Sequence, residues 1–445
     1  MSLSGALTTA VTGLDGQSAA LGAISNNVAN SGTSGYKRVE TSFSTLISVA
    51  NAQVFQPGGV VSKPVYTNDI GGPIQQTSAQ TNLALSGDGF FTVSGANGTQ
   101  TNGIPIFNNT QLYTRSGDFG LDSAGFLKNS AGYYLDGWPI DQLTGTVQKN
   151  ALQPIRIATF KDNPQPTANI AYSANLPTNI NASLDTDTTT PDVDYAATPV
   201  QFYDAVGQAH SLNVGWTKIS GTNNTWTLNI TSTEPGVTIT SPGGPVNVDF
   251  NIDNTSGAAG SILNFNGTTG TIGTDVTLPI QIDFGGPAAS TQNLNLNLGK
   301  FGVAEQTTMF TGSDVEFRSA QQDGLAPGSF KSLSIDEHGV VTLNYDNGAR
   351  RNFFQVPVAT FSNANGLQSE SGNTFSTTVN SGTPIYNAAG SNGAGTLIPS
   401  AIEGSNVDIA SEFTKMIQTQ SAYGANSKVI TTTAQLLQFT NDMVR

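Results

Sequence analysis

The chain has 445 residues, only 11% of them charged, with 17 Lys and Arg against 31 Asp and Glu for a net charge of −14. That balance leaves no basic stripe to neutralise phosphates and excludes nucleic acid as a partner, while the absence of Cys excludes disulfide scaffolds, cysteine-ligated zinc and cysteine nucleophiles. Hydrophobic residues at 37% suffice for buried cores, and a surface made of Thr, Ser, Asn and Gln points to a β-rich structural protein more than to a cytosolic enzyme.

The N-terminus carries Leu7, Leu14, Leu21 and Val28 at a seven-residue repeat, with Leu3 and Ile24 on the companion position. A period of 3.5 residues is that of a coiled-coil seam and predicts a helix over 1–30. No Lys or Arg precedes Lys37, so this end lacks the basic region of a secretory signal. Nowhere does an apolar run reach the ~18 residues of a membrane span, so no membrane insertion is expected.

From about residue 76 the punctuation changes to that of strands. Gly87-Asp88-Gly89-Phe90-Phe91 places turn glycines before an apolar run, with neither a dinucleotide fingerprint nor a phosphate-loop lysine following. Phe119 to Leu127 reads as strand, tight turn, strand, and Leu333 to Val341 repeats the pattern far downstream. In each, an Asp can accept a turn hydrogen bond and a Gly can take a positive φ. Between them, 151–304 is rich in Thr and Asn, with alternating runs such as Trp226-Thr227-Leu228-Asn229-Ile230, and predicts a separate inserted β-domain. Asn175 to Pro199 and Ser381 to Ser400 read as loops, and Asp346-Asn347-Gly348 as a turn before the apolar run Phe353 to Phe361.

The C-terminus has the stricter repeat: Ile409, Met416, Tyr423, Ile430, Leu437 and Val444 are spaced by seven. Ser405 to Asp408 offers caps, and Glu412 falls in the first turn, where the helix dipole favours an acid. The companion positions Phe413, Gln420, Ser427, Ala434 and Asn441 are mixed, so the stripe is narrow. Narrow stripes at both ends predict that the helices pair with each other and then with neighbouring copies.

The chemistry-bearing residues form no site. His210 and His338 have no second histidine at ligand spacing. A calcium loop begun at Asp185, with Asp187, Asp192 and Asp194, has Pro191 at position 7, no Gly at position 6 and Ala196 where Glu is required. No nucleophile-and-base pattern is present. The expectation is no catalytic centre, no cofactor and no metal.

Several segments resemble the bacterial flagellar axial proteins, the family of rod, hook and hook-associated subunits. Ile24-Ser25-Asn26-Asn27-Val28-Ala29-Asn30-Ser31-Gly32-Thr33-Ser34-Gly35-Tyr36-Lys37 is similar to their shared N-terminal signature, within which Asn26, Asn27, Ala29, Asn30, Gly32, Thr33, Gly35, Tyr36 and Lys37 match the motif. Gly87 to Phe91 and Tyr113-Thr114-Arg115-Ser116-Gly117-Asp118-Phe119 resemble their core-domain motifs, and Met416 to Lys428 their C-terminal helix, with Ser421 where Arg is frequent. The insert, through Phe202 to His210, Trp216-Thr217-Lys218 and Trp226, together with Gln322 to Gly328, resembles the hook members, whereas rod members lack an insert of this size.

The resemblance implies a multidomain α+β fold. Residues 1–30 and 405–445 would form a coiled-coil inner domain, 31–75 a connecting segment, 76–150 with 305–404 a nested β-rich core, and 151–304 an inserted outer β-domain. It further implies a hook subunit that polymerises with itself into a curved hollow tube. Its other partners would be distal rod, hook cap and hook–filament junction proteins and the flagellar type III export apparatus, through which it would reach the cell exterior without signal cleavage. The alternatives are a distal rod or junction protein of the family, or an extracellular β-rich adhesin or surface-layer protein.

Overall fold

A computed structural model describes residues 3–50, 55–99, 104–142, 144–150, 152–157, 161–186, 189–222, 224–254, 256–285 and 291–443. The chain is mostly strands, with helix α1 (Leu3–Ala29) at one end and helix α2 (Ile409–Met443) at the other. It divides into two compact units, the first comprising 1–160, 331–344 and 350–445, the second 161–330 and 345–349.

In the first unit the two helices run antiparallel: Asn27 of α1 meets Glu412 of α2, and Gly13 faces Asn426. Asp408 caps α2, its carboxylate accepting from the amides of Ala410 (2.9 Å) and Ser411 (3.3 Å). Strands β1 (Val39–Ala50) and β2 (Phe55–Tyr66) form a long antiparallel hairpin along α1, so the connecting segment expected over 31–75 contains a pair of strands. Thr12 of α1 accepts a hydrogen bond from the amide of Val60 in β2 (3.2 Å). Glycine at position 16 permits this approach, because a Cβ there would stand 3.0 Å from the Phe43 ring.

The sheet core of this unit is built on strand Phe90–Thr99, which pairs with Pro105–Thr114, with Tyr134–Pro139 and with Pro357–Thr360. Phe90, Tyr113, Phe361 and Phe375 pack edge to face with centroids 4.8–5.9 Å apart. The two echoing turns are built alike. Asp122 accepts from the amides of Ala124 and Phe126, and Asp336 from those of His338 and Val340, at 2.7–3.0 Å, with Gly125 and Gly339 at φ of 83° and 82°.

The second unit has two sheets that share one core of Tyr172, Phe202, Trp216, Trp226, Phe250, Ile280 and Leu296 among others. Strand Ala209–Lys218 alternates as its sequence requires, burying His210, Leu212, Val214, Trp216 and Lys218. The chain enters and leaves through an antiparallel neck, with bridges Asp162–Gly328 and Gln165–Leu325. The segment 305–330, assigned to the core from sequence, lies in this second unit: strands Thr308–Phe310 and Glu316–Gln322 pair with Asn169–Pro177.

Of the acidic loop, Asp185 accepts from the amide of Asp194 (3.2 Å), Asp192 from that of Ser220 (2.8 Å), and Asp194 from the hydroxyl of its cross-strand partner Thr217, so these carboxylates hold the loop to itself and to the neighbouring strand. Asp187 lies outside the described residues. His210 stacks on Phe202 and places its ring nitrogens 2.6 Å from Glu234 and 3.4 Å from Asp204, tying loops of the second unit together, while His338 is exposed beside Glu337.

Candidate functional site

The charges of the first unit gather where the helices leave the sheet core. Glu403, just before α2, is 1% exposed, yet it holds two cations: Lys37 at 2.5 Å and Arg115 at 3.0 Å. Its Oε1 also accepts from the amide of Gly72 (2.7 Å). Lys37 donates a second bond to the carbonyl of Ile70 (2.7 Å), and Arg115 reaches the carbonyl of Gly87 (2.7 Å) while its guanidinium lies 5.3 Å over the Phe90 ring. Burial pushes the Lys37 amine below its ordinary range, with Glu403 pulling it back up. One carboxylate thus fastens the segment after α1, the chain beyond β2, the residue that follows a core strand and the lead into α2. The main chain at Glu403 joins in, its carbonyl accepting from the Gly35 amide (2.8 Å) and the Ser34 hydroxyl (3.1 Å). Gly35 has φ of 68°, and a Cβ there would stand 2.4 Å from the amide of Ser116.

A second buried node sits on Asn27. Its amide group pairs with both the N–H (3.0 Å) and the C=O (2.9 Å) of Val39, imitating a strand neighbour where β1 begins. The same side chain donates to Glu412 (3.0 Å) and accepts from the hydroxyl of Tyr36 (3.2 Å). Burial, with Glu412 adding to it, pushes the Tyr36 phenol up. Lys415 bridges Glu412 (3.2 Å) and Glu40 (3.0 Å), joining α2 to β1. Asn406 closes the arrangement, accepting from the amide of Arg38 (2.7 Å) and donating to the carbonyl of Ile70 (3.2 Å). The geometry is that of a clamp: it fixes the direction in which two long helices and a hairpin leave a β-core.

The N-terminal signature therefore divides by role. Asn27, Gly35, Tyr36 and Lys37 are buried in the clamp. Asn26 and Asn30 close the end of α1, Asn30 donating to the carbonyl (2.9 Å) and side chain (3.0 Å) of Asn26 and accepting from Thr33 (3.3 Å), while Ala29 and Gly32 are exposed. Sequence reading did not single out Glu403 or give Arg115 a partner. The available signal was scarcity: with 17 Lys and Arg in the chain, a cation inside an aromatic, glycine-flanked motif is a candidate for burial.

The seven-residue positions do not centre the helix contact. Leu7, Leu14, Leu21, Val28, Met416 and Ile430 are half-buried, Ile409, Tyr423 and Leu437 are exposed, and Val444 lies outside the described residues. The buried line on α1 is Ala10, Gly16, Ala20, Ile24 and Asn27 instead. Its small members Ala10, Gly16 and Ala20 let α1 lie close to its neighbours, Gly16 against Phe43 and Val60 of the hairpin.

Four family models match in chain order: "Flagella basal body rod protein" over residues 7–37, "Flagellar hook protein FlgE/F/G D1 domain" over 84–182, "Flagellar basal body protein FlaE D2 domain" over 168–325, and "Flagellar basal body rod FlgEFG protein C-terminal" over 398–443. Clamp and models together define a structural protein of the flagellar rod and hook class. Whole-chain similarity narrows this. The flagellar hook protein FlgE of Rhizobium meliloti (strain 1021) is 31% identical over 442 residues, covering 98% of each chain, and that of Brucella suis biovar 1 is 30% identical over 438 residues, again covering 98% of each. The crystal structure of Helicobacter pylori flagellar hook protein FlgE2 aligns with 73% of this chain and 98% of its own, at a TM-score of 0.43 and 15% identity. The chain belongs to the flagellar hook protein FlgE family and is a structural subunit of the hook.

Proposed function

We propose that copies of this chain assemble into the hollow, curved tube of the hook, a universal joint carrying torque from rod to filament. The observation behind this is uncovered apolar surface on the helical arm. Ile409, Phe413, Ile417, Leu436 and Phe439 of α2 are 47–66% exposed, and Phe43 and Leu46 of β1 are 43% and 52% exposed. A single chain leaves these side chains in water, whereas neighbouring copies can bury them. A contact between unlike faces that does not close propagates as a helical fibre. Leu7, Leu14, Leu21, Val28, Ile409, Met416, Tyr423, Ile430, Leu437 and Val444 are the proposed seam. The helices would be innermost, and the clamp would hold them rigid against the core while weaker polar contacts between copies slide.

Export through the flagellar type III apparatus without signal cleavage, placement outside the cell, and contacts with distal rod, hook cap and junction proteins belong to the same reading. The test is negative-stain imaging of purified protein under polymerising conditions. Short curved tubes are expected, and Leu21→Asp or Ile430→Asp should give soluble monomer with intact β-structure and no tubes. Wild-type protein that never forms tubes, or an Ile430→Asp variant that forms them normally, would overturn the proposal.

A further inference from the structure

Asp136 stands apart from the clamp, on strand Tyr134–Pro139 inside the sheet of the first unit, and is 1% exposed. Its Oδ2 accepts from the Ser94 hydroxyl at 2.8 Å, whereas Oδ1 is buried with no hydrogen-bond donor among the described residues. Ser94 opposes Tyr134 and Val93 opposes Leu135, and by strand alternation Thr92 lies on the same face as Ser94. The Thr92 hydroxyl is likewise buried and without a hydrogen-bond partner among the described residues.

Among the described residues no cation pairs with the carboxylate. Lys128 lies over the Tyr134 ring, Lys149 over Trp138 and Arg156 over Phe126, and none of them forms an ion pair with Asp136 among the described residues. The paired strand Arg350–Gln355 carries Arg350 and Arg351 at the end away from its pairing with Trp138 and Pro139, and the groups that feel the Asp136 charge are the phenols of Tyr113 and Tyr386, hydrogen-bonded to each other at 2.9 Å, with Tyr386 donating to Gln111 (2.6 Å). Burial pushes both phenols up, so they stay neutral. Across the strand pairing, Pro154 opposes Asp136 and brings no donor.

We propose that Asp136 is a proton-dependent lock on this β-core: as the neutral acid it lets the strands close, and as the carboxylate it strains them apart. A buried carboxylate without a counter-charge is costly, whereas the acid form has an O–H of its own to place. Consistent with this geometry, burial pushes the Asp136 carboxyl up to about 7, against the bond from Ser94. An Asp in the unfolded chain titrates near ~3.9. The stabilisation is therefore fully present below about pH 4 and is lost as pH rises through about 7, on the order of a hundred- to a thousandfold in the local opening equilibrium.

The experiment is hydrogen exchange of the full chain, read on peptides covering 90–99 and 134–139, between pH 5 and 8.5 after correction for intrinsic rates. Wild type should open progressively more as pH rises, and Asp136→Asn should remove that slope. An equal slope in both proteins would overturn the lock. If Asp136→Asn does not fold, infrared spectroscopy of wild type decides. A buried carboxylic-acid band that disappears as pH is raised past neutrality supports the proposal, and no such band at any pH overturns it.

Discussion

At the scale of single residues, Glu403 concentrates more of the first unit's organisation than any hydrophobic side chain beside it, because two cations and two backbone segments depend on its oxygens. Removing it strands Lys37 and Arg115, each at most 5% exposed. Glu403→Ala should cost about 3–5 kcal/mol in urea unfolding of the first unit. Glu305→Ala, which breaks a Lys300 contact between side chains 45% and 47% exposed, should change stability by no more than about 1 kcal/mol. Gly35→Ala must force a side chain into the Ser116 backbone at a left-handed φ, and its expected signature is increased protease cleavage between 31 and 38. Gly35, Tyr36 and Lys37 were legible as a signature, yet what they grip was not. Lys37 and Glu403 are separated by 366 positions, and local periodicity carries no trace of such a pair.

Among elements, the two helices were legible because their repeats are long, and the echoing hairpins because Asp and Gly fall at fixed offsets in their turns. The long hairpin of β1 and β2 was not anticipated, since 39–66 mixes Ser, Thr and Gly without a clean alternation. Ser381 to Ser400, read as loop, contains strands Ile385–Ala388 and Thr396–Pro399, short and poor in apolar residues but paired to Pro357–Thr360 and Leu83–Ser86. The intimacy of α1 with the hairpin gives a sharp expectation. Gly16→Val should overpack against Phe43 and Val60, cost about 1–3 kcal/mol, and appear as faster hydrogen exchange in β1 with the sheet core unchanged. Acid should loosen the same region. The hydrogen bond from Lys415 is the main reason the Glu40 carboxyl is held below its usual range. Its contribution is present above the ordinary value of about 4.3 and lost as pH falls through the lowered folded one. An NMR titration below pH 5 should show β1 shifts in wild type that Glu40→Gln lacks.

For the molecule as a whole, the sequence reading ended the expected insert at 304, short of strands that belong to the second unit. The strands at 308–322 have their hydrogen-bonding partner at 169–177, and nothing local marks that pairing. Excising 161–330 should therefore leave a soluble first unit with a single calorimetric transition, where the full chain shows two. A deletion ending at 304 strands two β-segments and should aggregate. The neck of the second unit has a mechanical consequence. Because the bridges Asp162–Gly328 and Gln165–Leu325 are antiparallel and adjacent, tension along the chain arrives at neighbouring ends of the unit and loads its hydrogen bonds in sequence. Pulled from its termini, the second unit should unzip from the neck at low force, while a push or twist on its outer surface meets both sheets at once. A fold of this kind yields easily to threading and resists being sheared.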